Sequence, residues 1–396
     1  MIPYYFFFGF LFFISFYDLI KTDIKFSKKI EDLLYIILWL VLIFFIGFRY
    51  KMANDWYNYE GLVRNIEPLN QVLWGNAPVF HSTKGVEFGF MVLCSFINLF
   101  FSSSVVALQA LTAIVSIFCY SVLISVTKKE TIIPHKFIFL SIFISLTMFR
   151  EFDVLRQSIA LYMFLISIKY FNNSFFKYSL INIVGSFFHI SALIFIPFYF
   201  VFKIKFHRLF ILALLIMYML SMVIHFSFVT ALTDRLSNYF PELIFVQKLY
   251  KTTVMGEPSS SISSVGLVYV IFLVLLFFNY RKIDFDNYKI RLFINVFLVF
   301  ILINVLFSDA KEVADRFSYY FYIGLAFVFV YVIQFIRKDI VIPYLFLIMG
   351  FPTIRFSRIM ANPEAASVNL PYRNYFFITP DDDTKILINW KEKNEK

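Results

Sequence analysis

Long apolar segments recur along this chain, and they constrain its fold more than any other feature. A helix needs about 20 mostly apolar residues to cross the hydrocarbon core of a bilayer. Of the 396 residues, 60% are hydrophobic and 16% are charged, whereas a typical soluble domain has about 25% charged residues. Apolar segments of the required kind lie at about 4–20, 31–48, 104–126, 135–149, 155–171, 209–228, 264–280, 291–308, 317–336 and 340–352. The sequence therefore predicts an all-α, polytopic integral membrane protein.

Two apolar segments need a separate interpretation. Residues 4–17 resemble a signal peptide, but they lack a basic start and a small-residue cleavage site, so we interpret them as a retained span. Residues 88–101 are apolar but short for a span, so they are expected to lie flat, to re-enter the membrane or to cross it.

Residues 177–202 are too long for one straight span, and Gly185, His189 and Pro197 interrupt them. We predict a hairpin of two short helices with its tip at residues 188–190. Non-helical backbone at membrane depth is tolerated only where it is buried or lines a cavity. With this hairpin, the chain is expected to have about 10–12 transmembrane helices.

The distribution of basic residues predicts an orientation. Cytoplasmic loops carry an excess of Lys and Arg, and with the hairpin included 18 of the 36 basic residues fall in short loops on one side. That side is predicted to be cytoplasmic, which puts the N-terminus outside. The outer side has nine arginines and the inner side four. Because the planar guanidinium suits bidentate contacts with phosphate or carboxylate, the outer arginines indicate an anionic ligand.

Several classes of site are not supported by the sequence. Cys94 and Cys119 both lie in apolar segments and fit neither a disulfide framework nor a zinc site. The net charge of +10 comes without aromatic-basic motifs for nucleic acid. Three consecutive aspartates at 381–383 lack a second ligand cluster, so we interpret them as a solvated acidic turn. No metal, no cofactor and no nucleic-acid partner are expected.

The stretch FREFDVLRQSIALYMF (149–164) places charge between two apolar spans. A turn after Arg150 would bring Arg150 and Arg156 to one pocket, although both can also pair locally with Asp153, three residues from each. Arg156 and Gln157 begin an otherwise apolar helix, where an ionisable residue costs roughly 2.5–3.5 kcal/mol if it sits deep. This cost favours a functional interpretation.

Other polar residues are predicted to lie at the same outer face. The stretch GFRYKMANDWYNYE follows the second span, and its aromatic residues suit a membrane interface better than Arg49 and Asp55 do. His189 lies at the predicted hairpin tip, and Arg316 opens a late aromatic helix as Arg156 opens an earlier one. The further candidates for substrate contacts are Tyr59, Gln157, Tyr372 and Arg373.

These residue types suit a lipid-linked sugar diphosphate. Aromatic faces pack against the apolar faces of sugar rings, and arginines can stabilise a departing diphosphate electrostatically. A histidine or a carboxylate can take the proton of an acceptor hydroxyl.

The motifs GFRYKMANDWYNY, KGVEFGF (84–90), FREFDVLRQSIALYMF, SFFHISAL (186–193) and PYRNY (371–375) resemble, in order and spacing, those of the EpsG family, one of the Wzy-type O-antigen and exopolysaccharide polymerases. The resemblance covers nearly the whole chain. The family pattern usually has glycine where Asn54 stands and often has proline where Ile190 stands. Neither difference removes a charged residue.

The resemblance implies a GT-C-like membrane glycosyltransferase at the outer face of the bacterial plasma membrane. It would move a growing glycan from polyprenyl diphosphate to a sugar hydroxyl of the next lipid-linked repeat unit, with a flippase and a chain-length regulator as candidate partners. Diphosphate binding would fall to Arg150, Arg156 and Arg316, and His189 would act as the base or position the acceptor. Arg49 and Asp55 would shape the cleft.

Two other functions share these features. A flippase for the same lipid-linked units would place charge at mid-membrane and show two related halves, whereas the predicted charges collect on one face. An O-antigen ligase or another membrane glycosyltransferase would use the same chemistry on a different acceptor. The expected organisation is a transmembrane domain at 1–352, with outer loops 49–87 and 229–263, and a polar tail at 353–396.

Overall fold

The computed structural model describes residues 1–20, 28–53, 55–75, 85–223, 228–239 and 264–378. Within these ranges the chain forms helices and no strand, apart from one isolated bridge between Arg49 and Asn374. The predicted all-α class is confirmed. Asn54, residues 240–263 of the predicted outer loop and the aspartates at 381–383 lie outside the described residues.

Nine of the described helices precede or begin the predicted hairpin. They are α1 (Ile2–Ile20), α2 (Lys28–Leu42, continued by a π-helical turn at Ile43–Gly47), α3 (Trp56–Asn65), α4 (Leu69–Leu73), α5 (Phe88–Ile97), α6 (Ser104–Lys129), α7 (Lys136–Asp153), α8 (Leu155–Ser167) and α9 (Phe175–Ser186).

The remaining described helices complete the chain. They are α10 (Phe195–Lys203), α11 (Arg208–Val223), α12 (Phe228–Tyr239), α13 (Ser264–Phe278), α14 (Tyr288–Leu306), α15 (Lys311–Tyr331), α16 (Val341–Ala361) and α17 (Pro363–Asn369).

Five described helices are long and apolar enough to cross a membrane, and four shorter apolar helices accompany them. The five are Ile2–Ile20, Lys28–Gly47, Ser104–Lys129, Tyr288–Leu306 and Val313–Phe335. The chain is therefore a multi-pass membrane protein. Helix α5 has 10 residues, which at about 1.5 Å per residue is too short to span the hydrocarbon core.

The predicted hairpin is present. Helix α9 ends at Ser186, and a 3₁₀ turn at Ile190–Ile194 leads into α10. The chain returns along α9, because the Tyr178 hydroxyl donates to the Phe195 carbonyl at 3.0 Å. The break falls at His189, as its position among apolar residues indicated.

The predicted boundary at residue 352 falls inside a helix. Helix α16 continues through Pro352 to Ala361, since a proline can be accommodated in a membrane helix when neighbouring groups satisfy the freed carbonyl. The division of the chain into compact units also falls at this point, because residue 352 and residue 353 are assigned to different units. The predicted polar tail stays a prediction.

The chain divides into two compact units. One comprises residues 1–130, 148–197 and 353–396, and the other comprises residues 131–147 and 198–352. The first contains all but one of the predicted site residues, and Arg316 lies in the second.

The core of the second unit is a close pair of helices, α14 and α15. A Cβ atom added to Gly324 would lie 2.5 Å from the backbone nitrogen of Phe297. The Asn304 amide also donates to Ser318 Oγ across the pair at 3.0 Å. Small residues and interhelical hydrogen bonds are the usual means by which membrane helices approach closely.

Gly324→Ala is therefore expected to destabilise the protein by about 1–3 kcal/mol, the usual cost of overpacking a filled core. The measurement is thermal unfolding in detergent. Gly350→Ala is the matched control, because a Cβ at Gly350, inside α16, meets nothing within 4 Å. Equal melting temperatures for the two variants would contradict the close packing of α14 on α15.

Candidate functional site

Glu87 joins three separate parts of the first unit. It precedes α5, Arg156 lies in the first turn of α8, and Ile190 follows the hairpin tip. Arg156 Nη1 donates to Glu87 Oε2 at 2.6 Å and to the Gly85 carbonyl at 3.2 Å. The Ile190 amide donates to Glu87 Oε1 at 3.1 Å. One carboxylate thus ties the loop before α5 to both the predicted arginine and the predicted histidine turn.

His189 lies beside this carboxylate, and Ser191 holds its ring. The Ser191 amide donates to His189 Nδ1 at 3.3 Å, and Ser191 Oγ lies 2.8 Å from the same nitrogen. Because a backbone amide can only donate, Nδ1 accepts, and the proton of the neutral ring is assigned to Nε2. Nδ1 is 3.8 Å from Glu87 Oε1, so a protonated ring would gain a carboxylate partner.

We call Glu87, Arg156 and His189 the Glu87 cluster. All three side chains are partly accessible: their exposed fractions are 17%, 25% and 29%, respectively. Because the Arg156 guanidinium is partly accessible, it is suited to contact an anionic ligand.

Gly89 lets the start of α5 approach the hairpin tip. Its amide donates to the Phe187 carbonyl at 2.8 Å, and an added Cβ would lie 2.8 Å from that same oxygen. A side chain at this position would push α5 away from the hairpin. The glycine therefore sets the distance across which Glu87 reaches Ile190.

Tyr59 lies behind Arg156. It is buried on α3, and its ring packs 5.6 Å from that of Phe90. Burial raises the pKa of Tyr59, and the neighbouring Arg156 guanidinium lowers it in part. The hydroxyl therefore stays protonated beside Arg156, and the predicted substrate contact of Tyr59 stays a prediction.

Arg49 holds backbone instead of facing a ligand. Its side chain is 1% exposed. Nη1 donates to the Ile46 carbonyl at 2.7 Å, and Nη2 donates to the carbonyls of Glu151 and Phe152 at 3.0 and 2.9 Å. The last carbonyls of a helix have no partner within it, so Arg49 satisfies the end of α7. This geometry gives Arg49 a positioning role at the junction, and its predicted substrate contact stays a prediction.

Glu151 contributes to this junction in two ways. Its carbonyl accepts from Arg49, while its buried carboxylate accepts from the hydroxyls of Tyr120 and Tyr162. The acid thus stabilises the exit of α7 through two tyrosines.

Arg150 and Arg156 lie on two helices separated by one non-helical residue, Val154. Arg150 is half-buried near the end of α7, and Gln157 is buried in the first turn of α8. Asp55 precedes α3 and accepts from the Asn58 amide at 3.1 Å. The predicted turn between the two arginines is present at Val154, four residues after Arg150.

Arg316 is exposed in the first turns of α15. It belongs to the second unit, and its predicted diphosphate contact stays a prediction.

The C-terminal PYRNY segment packs on the chain that follows α2. Tyr372 donates to the Phe45 carbonyl at 2.8 Å and stacks on the Phe45 ring at 4.3 Å. Arg373 Nη1 donates to the Lys51 carbonyl at 2.8 Å. Burial raises the pKa of Tyr372 to about 12 and lowers that of Arg373.

The loop that Arg373 contacts has an unusual backbone. Lys51 and Ala53 have φ angles of 46° and 71°, a region that residues other than glycine rarely adopt and that clusters at functional sites. The loop leads directly into α3, which carries Tyr59.

Among the described residues, no group of three or more His, Cys, Asp or Glu side chains is arranged to hold a metal ion. The candidate site residue that sequence reasoning missed is Glu87. Its signal was present in KGVEFGF: a single acid between two glycines at the start of an apolar helix.

The fold and the accessible charged cluster define a polytopic helical membrane protein with a polar site at the ends of its helices. The sequence profile of the EpsG family matches residues 32–374, which is most of the chain. The chain belongs to the EpsG family, and membership suggests a polysaccharide polymerase-type membrane protein. No curated protein and no solved structure shows significant similarity to the chain.

Proposed function

We propose that this protein is a polysaccharide polymerase. It transfers a growing glycan from polyprenyl diphosphate to a sugar hydroxyl of the next lipid-linked repeat unit, in the synthesis of O-antigen, capsule or exopolysaccharide. The observation that carries this proposal is the Glu87 cluster in a chain of the EpsG family. The bias of basic residues toward one set of loops supports an active face outside the bacterial plasma membrane.

The transfer breaks the bond between the anomeric carbon of the donor and its diphosphate oxygen, and it forms a bond from that carbon to the acceptor oxygen. The diphosphate leaves with the bonding electron pair. Arg156, with its remaining guanidinium donors, stabilises the charge that develops on the leaving oxygen. Arg150 and Arg316 are the further candidates for this diphosphate contact.

The acceptor hydroxyl loses its proton during transfer. The Glu87 carboxylate acts as the general base and takes this proton. His189 holds its own proton on Nε2 in the neutral ring, so it donates to a substrate oxygen and positions the acceptor. Of the two roles predicted for His189, this geometry favours positioning over that of the base.

Deletion of the gene followed by analysis of the surface glycan tests the proposal. Loss of long chains with survival of single-repeat glycan is the expected result, and the native gene should restore the long chains. Loss of all repeats would point instead to a flippase or a ligase. An unchanged chain-length distribution would refute the proposal.

A further inference from the structure

An apolar groove of about 990 Å³ lies within the first unit, away from the Glu87 cluster. Its walls are the first turns of α1, the end of α2 with its π-helical turn, and the segment 371–378. Lining side chains include Ile2, Phe6, Phe10, Val41, Phe44 and Arg373. This volume is near the upper limit of the range found for small-molecule binding sites.

The groove has the chemistry of a lipid site. Both α1 and α2 are long and apolar enough to span the membrane, so a hydrocarbon chain can enter between them from the bilayer. Among the described residues that line the groove, Arg373 is the single cation and there is no acid. An apolar wall with one guanidinium at its polar end is complementary to a lipid with an anionic phosphate head.

A second cation lies next to the groove. The Lys51 carbonyl accepts from Arg373, and Lys51 Nζ lies 5.3 Å and 5.9 Å from the ring centres of Tyr50 and Trp56. Trp56 begins α3, on which Tyr59 supports Arg156. The segment that carries Arg373 is therefore linked to the Glu87 cluster through one short helix.

We propose that this groove holds the polyprenyl chain of the acceptor, with Arg373 on its diphosphate. The inference rests on the proposed function, because a polymerase must hold two lipid-linked units at once. The donor diphosphate lies at the reacting carbon. The acceptor diphosphate is attached at the reducing end of its repeat unit, away from the attacking hydroxyl, and so needs an anchor of its own.

The test is photo-crosslinking of the full chain, purified in detergent, with a benzophenone-bearing farnesyl diphosphate. Label is expected on peptides of α1, α2 and 371–378. Undecaprenyl diphosphate should compete for the label, and phosphatidylglycerol should not. This wild-type comparison requires no variant. Equal competition by phosphatidylglycerol would show a groove for bulk lipid, and an absence of label from the groove peptides would show that no polyprenyl chain binds there. Either result would overturn the proposal.

Two variants separate the apolar wall from the head contact. Val41→Trp fills the groove and should lower labelling by both the diphosphate and the matching farnesol probe. Arg373→Gln should lower labelling by the diphosphate about tenfold, the effect of losing one charged hydrogen bond, and leave farnesol labelling unchanged. Arg337→Gln is the control, since Arg337 is exposed and pairs with Asp339. Equal loss for Arg373→Gln with both probes would contradict the head contact.

Labelling does not depend on polymer synthesis, so the two proposals fail separately. If the groove takes label while the deletion strain keeps its long chains, the proposed function is wrong. If long chains are lost but the groove takes no label, the second lipid site is wrong.

Discussion

Replacing Arg156 by alanine is expected to lower the rate of polymer elongation by about 10²–10³-fold, the usual cost of removing one donor that stabilises a developing negative charge. The side chain is 25% exposed and shares a hydrogen bond of 2.6 Å with Glu87. Its loss removes the cation from the leaving group and leaves the Glu87 carboxylate without its partner. The measurement is the ladder of glycan lengths on a gel, together with the turnover of a lipid-linked repeat unit by the purified protein.

Arg156→Lys separates charge from geometry. Lysine keeps the positive charge but lacks the planar fork of the guanidinium, so it should restore only part of the activity. Arg337→Ala is the matched control, because it removes an exposed arginine from the second unit. Full-length polymer from Arg156→Ala, in protein that is folded and present at normal amounts, would remove Arg156 from the proposed mechanism.

Glu87→Gln is expected to lower the elongation rate by about 10²–10⁴-fold, the range for loss of a general base. Glutamine is nearly isosteric and its carbonyl oxygen can still accept from the Ile190 amide. It cannot accept a proton from the acceptor hydroxyl, and it has no charge with which to hold Arg156. The fold should therefore survive while transfer fails, as measured by turnover of the purified protein against its thermal unfolding temperature.

Glu87→Asp completes this comparison. The aspartate keeps the charge on a shorter side chain, so it should retain more activity than the glutamine variant. Asp286→Asn is the control, since Asp286 is 88% exposed and pairs with Lys205. If the Glu87→Gln variant elongates polymer at the wild-type rate, Glu87 is neither the base nor needed to position Arg156 for transfer. If the variant unfolds at a much lower temperature than the wild type, the role of Glu87 is structural.

Much of the candidate site was readable from local sequence. Arg156 and Gln157 stand at the point where an apolar helix begins, and His189 interrupts a segment too long for one span. Both features can be recognised from residues a few positions away. The reason is that the thickness of the bilayer sets how long a membrane helix must be. The structure accordingly has the helix start at Leu155 and the hairpin break at His189.

Local sequence did not show how Arg49 is packed, and it overlooked Glu87. An arginine just after a span looks available to a ligand, but the end of α7 lies across it and its carbonyls take the guanidinium. Glu87 looks like an isolated acid, yet its partners are 69 and 103 positions away. Neither hydrophobic periodicity nor motif spacing can reveal contacts between residues so far apart in the sequence.

The sequence by itself determined that this protein lies in a lipid bilayer and that its fold is all-α. Apolar segments of spanning length must enter the bilayer, and in the bilayer they must be helical to satisfy their backbone. Only the tertiary structure decided which charges are partly accessible and which hold the backbone. That choice depends on which helix ends meet, since an arginine beside orphan carbonyls satisfies them, whereas Arg156, beside a partly accessible carboxylate, stays partly accessible itself.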